Sequence, residues 1–106
     1  MAWIYLIIAG LLEIGWAIGL KYTEGWTKLF PSVLTVLGMV ASFYFLSLAL
    51  KVLPIGTAYA IWTGIGTVGA AVLGMLIFGD SREAIRIVCI LIIVAGIAGL
   101  KITTSQ

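Results

Sequence analysis

The chain has no histidine, a single cysteine and few charged residues, and each shortage excludes a class of protein. Without histidine there is no imidazole to bind a metal or act as a general base, so any proton handling falls to carboxylates. One thiol, Cys89, can neither close an internal disulfide nor build a thiolate metal site. Charged residues make up 9% of the 106 residues, whereas soluble domains hold about a quarter. We therefore expect no water-soluble domain, no metal centre and no bound cofactor.

Nucleic-acid binding and catalysis are also disfavoured. The net charge of +2 is spread along the chain, and phosphate-binding surfaces need clustered lysine and arginine. No nucleophile–base pair, metal set or phosphate loop is recognisable. We expect neither a nucleic-acid partner nor an enzyme.

The chain is rich in long apolar stretches. It is 63% hydrophobic, with a mean hydropathy of +1.27. Four apolar stretches lie at about 2–20, 32–50, 55–78 and 85–101, each close to the ~20 residues that a helix needs to cross ~30 Å of hydrocarbon. We predict an all-α integral membrane protein in which residues 1–106 form one domain of four transmembrane helices.

Basic residues in short loops normally set the orientation of a membrane protein, but here they are nearly balanced. If the N-terminus were cytoplasmic, that side would hold Lys51 and Lys101, and the other side Lys21, Lys28, Arg82 and Arg86. This weak bias leads to the hypothesis that the chain inserts in both orientations. Four helices without internal duplication cannot supply an inverted repeat, but two oppositely inserted copies can.

Glu13 is the most unusual residue of the apolar stretches. It lies about eleven residues into the first stretch, roughly 16 Å deep at 1.5 Å per residue. An acid there is costly unless it is protonated, paired or facing water. A protonated acid that only hydrogen-bonds a neighbouring helix is the alternative, although glutamine would serve that purpose without a charge. Glu13 is the predicted proton- and substrate-binding residue.

Aromatic and hydroxyl side chains accompany this acid in a way typical of a cation pocket. Gly10 and Trp16 share the helix face of Glu13 at spacings of three. The remaining candidates come from the second and third stretches: Ser42, Tyr59, Trp62 and Thr63. Ser42 reaches the depth of Glu13, and we expect its hydroxyl to hydrogen-bond the acid, with a bond to its own helix as the alternative. Tyr59 is also shallow enough to belong to an interfacial aromatic belt. An acid with aromatic rings and hydroxyls, and no basic residue, favours a pocket for a cation.

Glycines and alanines predict the moving parts and the helix contacts. Gly64 and Gly66 lie mid-span in the third stretch, where weak helix propensity permits a hinge. Ala95 and Gly99 form a small-xxx-small pair in the fourth stretch, which suits close packing. We expect this pair at a dimer contact, with packing inside the protomer as the alternative.

Together these residues resemble the small multidrug resistance family, and the resemblance covers essentially the whole chain. The segment LPIGTAYAIWTGIG at 53–66 follows a lone membrane acid in a four-span chain. The segments EIGWA at 13–17, LKY at 20–22, WTG at 62–64 and GLK at 99–101 resemble the guanidinium-exporter branch of that family. The multidrug branch usually has a small residue in place of Trp16, and serine or alanine in place of Thr63.

The resemblance implies an antiparallel, dual-topology homodimer in a bacterial inner membrane. It implies export of guanidinium in exchange for protons by alternating access, with Glu13 of both subunits as the shared binding group. Trp16, Ser42, Tyr59 and Trp62 match positions of the family's pocket. A heterodimer with a paralogue remains open.

Three alternatives remain at this point. A multidrug exporter of quaternary ammonium or hydrophobic cations would use the same acid with a wider pocket. A non-transporting interaction subunit would have no pathway, and a midplane acid beside two tryptophans fits it poorly. A proton or cation channel would show flux without an exchanged ion.

Overall fold

The computed structural model describes residues 1–103 and contains four helices: α1 (Ala2–Tyr22), α2 (Leu29–Ala49), α3 (Ile55–Ile77) and α4 (Ala84–Thr103). Each is long and apolar enough to cross a membrane, with mean hydropathies from 1.8 to 2.5. No strand occurs in these 103 residues. The prediction of an all-α protein with four membrane-spanning helices is confirmed.

The helix ends differ from the expected bounds by a few residues. Helix α2 begins at Leu29 instead of residue 32, so that Pro31 is its third residue and not its start. The first four N–H groups of a helix lack intrahelical acceptors, so Pro31 removes no hydrogen bond there. Pro54 is the residue that immediately precedes α3. Helix α4 continues to Thr103, past the expected end at 101.

A compact turn joins α1 to α2 and makes them antiparallel neighbours. Thr23 is 1% exposed; its Oγ1 donates to the Leu20 carbonyl at 2.7 Å and accepts the Trp26 N–H at 3.2 Å. Glu24, Gly25 and Trp26 all have positive φ. The buried threonine therefore fixes the reversal just outside the apolar segments.

Helix α1 is the centre of the protomer, and it packs against both α2 and α3. Helix α4 packs against α3 at the edge of the arrangement. The Cα atoms span 43 × 35 × 16 Å, and one helix with its side chains is about 10–12 Å wide. The protomer is a thin slab, so groups near its middle are close to a broad face.

The outer helix α4 has no buried residue. Its inner side meets Gly64 of α3, where the side chains of Ile93 and Ile97 lie within 4 Å of a Cβ position. Near its C-terminal end the Lys101 Nζ lies 4.8 Å from the centroid of the Trp3 ring, and much of the remaining surface of α4 is exposed. In a membrane such an apolar surface is covered by lipid or by another helix.

Candidate cation site between α1 and α3

Glu13 points from the middle of α1 toward α3. A Cβ placed on Gly66 would collide with the carboxyl group of Glu13, so the acid rests directly on the glycine backbone. Its Oε1 atom is buried and has no hydrogen-bond partner. Within residues 1–103, Lys28 and Glu24 form an ion pair at 3.5 Å. No basic side chain in this range forms an ion pair with Glu13.

Ser42 lies beside this site and links three helices. It is fully buried, and its Oγ donates a 2.7 Å hydrogen bond to the Ala9 carbonyl of α1. The same oxygen accepts the indole N–H of Trp62 from α3 at 3.0 Å. Ser42 was expected to hydrogen-bond the acid, whereas its hydroxyl proton is directed to the α1 backbone.

A continuous series of aromatic rings runs across the site. Tyr59 and Trp62 have centroids 5.3 Å apart, Trp62 and Phe43 5.6 Å, and Phe43 and Trp16 6.3 Å. Trp62 is 5% exposed, whereas Tyr59 is more than half exposed. Phe43 was missed from the sequence, although its place next to Ser42 in mid-span was a usable signal.

Two further polar groups near these rings have no partner. The indole Nε1 of Trp16 and the Oγ1 of Thr63 are both buried and make no hydrogen bond. Thr63 lies one turn before Gly66 on α3, on the same side of the helix. Leaving a buried polar atom without a hydrogen bond costs free energy. A ligand, a water molecule or a second protomer would supply the missing partners of Glu13, Trp16 and Thr63.

The glycines of α1 and α3 are sites of close helix contact. A Cβ on Gly10 would stand 2.7 Å from the Ile65 side chain, and one on Gly64 would stand 2.8 Å from Ile97. Gly10 therefore lets α3 approach α1. Gly64 and Gly66 lie within one continuous helix, and a hinge at these positions stays a prediction.

Ala95 and Gly99 are both exposed on α4. Nothing lies within 4 Å of a Cβ position at Gly99. The pair thus makes no close packing inside the described protomer, and a contact with a second protomer stays a prediction.

A separate cavity of about 380 Å³ lies between α1 and α2. Gly15, Gly19 and Thr35 belong to its wall. The Oγ1 of Thr35 is buried there without a hydrogen-bond partner. For metals, no group of three histidine, cysteine, aspartate or glutamate residues lies together within residues 1–103.

The sequence of this chain matches one known protein family over most of its length. Residues 1–93 match the family described as Small Multidrug Resistance protein. The chain belongs to the Small Multidrug Resistance family. With four apolar helices of spanning length, this family member is a multi-pass membrane protein.

Its similarity to individual relatives extends over nearly the full length. The chain is 57% identical over 104 residues to the guanidinium exporter of Citrobacter freundii. The aligned region covers 98% of this chain and 99% of the relative. The guanidinium exporter of Salmonella typhimurium matches with the same identity and coverage. The guanidinium exporter of Escherichia coli strain K12 is 55% identical over 104 residues, with the same shares covered.

Proposed function

We propose that this chain exports guanidinium across a bacterial inner membrane in exchange for protons. The observation that supports the proposal most strongly is the Glu13 carboxyl at Gly66, whose Oε1 atom is buried and has no hydrogen-bond partner. The names of the relatives, guanidinium exporters at 55–57% identity, favour the same substrate.

The chemistry of guanidinium suits the groups around Glu13. The ion is planar, and its N–H groups donate in a fork that matches a carboxylate. Thr63 Oγ1, which is also buried without a partner, is a second acceptor on the neighbouring helix. The flat faces of the ion are weakly hydrated and stack on aromatic rings, which Trp16, Trp62 and Phe43 supply.

The proposed working unit is an antiparallel homodimer. Each protomer is a slab only 16 Å thick in its Cα atoms, and a second copy facing it would enclose the acid on both sides. The near balance of basic residues between the loops agrees with insertion in both orientations. Glu13 of both protomers would then share one site, with Ala95 and Gly99 at the dimer contact.

Coupling follows from competition for the same oxygens. Two acids close together in a medium of low dielectric constant cannot both stay ionised unless a cation is present. Guanidinium binding releases the carboxyl protons, and protonation releases guanidinium. When the dimer alternates between its two open states, the inward proton gradient drives export.

The nearest competing function is export of quaternary ammonium or hydrophobic cations. A quaternary ammonium ion has no N–H group to donate to Glu13 and Thr63, so the unpartnered oxygens favour guanidinium over such an ion. Proteoliposomes loaded with either cation under the same pH gradient distinguish the two. Faster exchange of the quaternary ammonium would reject guanidinium as the principal substrate.

The decisive variant for transport is Glu13→Gln, which keeps the size of the side chain and removes its proton chemistry. We expect guanidinium uptake driven by a pH gradient in liposomes of the native protein and none above background in those of the variant. Glu24→Gln is the control, because Glu24 lies in the exposed turn. Equal uptake by native protein and Glu13→Gln would reject the mechanism, and flux without proton movement would indicate a channel.

A further inference from the structure

A groove between α3 and α4 lies apart from the cation site. It is lined by Ala71, Ile85, Arg86, Cys89 and Ile90 and has a volume of about 220 Å³. Four of these side chains are carbon-rich or weakly polar, and Arg86 is the charged one. The groove therefore combines an apolar channel with a single cationic group.

The position of Arg86 places that charge at the edge of the membrane. It is the third residue of α4, which begins at Ala84. Ile90 lies one turn further along the helix, about 6 Å toward the interior of the bilayer. The groove thus extends from the level of the lipid headgroups into the hydrocarbon. A phospholipid has the same orientation in the bilayer, with its charged headgroup at the surface and its acyl chains in the interior.

Arg86 is available for a ligand. Its guanidinium makes no hydrogen bond or ion pair with any residue of 1–103 that the structure describes. Neighbouring Arg82 differs, because its Nη2 donates a 3.0 Å hydrogen bond to the Met75 carbonyl near the end of α3. A guanidinium without a partner is well suited to a phosphate, which it binds through paired, charge-assisted hydrogen bonds.

The groove and the proposed dimer contact occupy different sides of α4. At 100° per residue, Ala95 is rotated by about 180° from Arg86. Ile93 and Ile97 on the inner side pack toward Gly64, whereas Ala95 and Gly99 are exposed. A partner helix at Ala95 and Gly99 would therefore leave the groove open to the bilayer.

We propose that this groove binds an anionic phospholipid, with the lipid phosphate on Arg86 and one acyl chain along Ala71, Ile85 and Ile90. The anionic phosphate complements Arg86, the charged residue of the groove, whereas Asp80, Arg82 and Glu83 lie in the loop before α4. The site holds a bilayer component and does not depend on guanidinium transport.

Cys89 provides the test because it is the single cysteine of the chain and lines the groove. The full chain is purified in a neutral detergent, and its alkylation rate by a maleimide is measured with phosphatidylglycerol or with phosphatidylcholine of identical acyl chains. We expect phosphatidylglycerol to slow alkylation at lower concentration than phosphatidylcholine. Arg86→Gln should raise the half-protecting concentration of phosphatidylglycerol about fivefold.

Lys51→Gln is the matched control, since it removes one exposed basic residue from another loop and should leave protection unchanged. Rates are compared with and without lipid within each variant, so that a change in the alkylation rate without lipid is not read as a change in lipid binding. Circular dichroism verifies that each variant keeps its helix content.

Ala71→Leu is a second variant, which fills the groove while keeping Arg86. It should lower the number of phosphatidylglycerol molecules retained in native mass spectrometry.

Several results would overturn the proposal. Equal protection by the two lipids would remove the role of the headgroup. Unchanged protection in Arg86→Gln would remove the role of the guanidinium. Equal protection by glycerol phosphate would indicate a soluble anion, and protection that follows protein concentration in the absence of lipid would indicate a second copy of the chain. If the variants fail to fold, the comparison of the two lipids on native protein still decides.

Discussion

The indole N–H of Trp62 donates a 3.0 Å hydrogen bond to Ser42. The Ser42 hydroxyl in turn donates a 2.7 Å hydrogen bond to the Ala9 carbonyl. A hydroxyl has a single proton to donate, so in this arrangement Ser42 is an acceptor for Trp62 and not a donor to Glu13. The serine thus fixes the plane of the Trp62 ring relative to α1 and α2.

Ser42→Ala should loosen this ring. The substitution leaves the Trp62 N–H buried without an acceptor, which costs about 1–3 kcal/mol. We expect the guanidinium affinity to fall about tenfold, while Glu13 itself remains in place. Isothermal titration of the purified protein measures this change.

Ser47→Ala is the control for that experiment. Ser47 is on the same helix but exposed, and its hydroxyl donates to the Tyr44 carbonyl of its own helix. We expect Ser47→Ala to bind guanidinium as the native protein does. Unchanged affinity in Ser42→Ala as well would mean that the fixed tryptophan ring is unimportant for binding.

Gly66→Ala should displace the acid. A Cβ at this position would occupy the space of the Glu13 carboxyl, and both helices are close-packed there. We expect guanidinium exchange in proteoliposomes to fall on the order of tenfold, because crowding a packed contact costs about 1–3 kcal/mol.

Gly56→Ala separates this effect from a general loss of α3 flexibility. Gly56 belongs to the same helix, and nothing lies within 4 Å of its Cβ position. Normal exchange by Gly56→Ala and reduced exchange by Gly66→Ala are expected. Normal exchange by both would mean that the contact between Gly66 and Glu13 has no part in transport.

Gly99→Leu should weaken the dimer without disturbing the protomer. Gly99 is exposed and nothing lies within 4 Å of its Cβ position, whereas a leucine in a small-xxx-small contact keeps two helices apart. We expect dimer affinity to fall about tenfold, measured by fluorescence resonance energy transfer in liposomes at varied protein-to-lipid ratios.

Gly96→Leu is the comparison, since Gly96 is an equally open glycine on α4 outside the Ala95–Gly99 pair. Equal dimerisation by both variants and the native chain would place the dimer contact elsewhere than on the Ala95–Gly99 side.

Hydropathy was sufficient to predict the four helices, because the bilayer demands about 20 apolar residues per span whatever the packing. Their ends were less predictable. The second stretch was expected to begin at residue 32, but a proline is tolerated in the first turn of a helix, and α2 begins three residues earlier at Leu29, with Pro31 in its first turn.

The residues of the candidate site were partly accessible from the sequence. Glu13 stood out because an acid in the hydrocarbon is rare, and helical spacing placed Trp16 beside it. Contacts between helices were not accessible. The hydrogen bond from Ser42 to Ala9, the rings that place Phe43 between Trp16 and Trp62, and the contact of Gly10 with Ile65 all depend on how α1, α2 and α3 are rotated against each other.

Proton release on guanidinium binding tests the central proposal most directly. Purified protein in a weakly buffered solution receives guanidinium chloride, and the change in pH is recorded together with the amount of bound ligand. Native protein should release protons in proportion to bound guanidinium, and its affinity should fall as the pH is lowered, by up to about tenfold per pH unit for each proton displaced. Glu13→Gln should release none. Guanidinium binding that releases no protons, with the same affinity at every pH, would contradict the account.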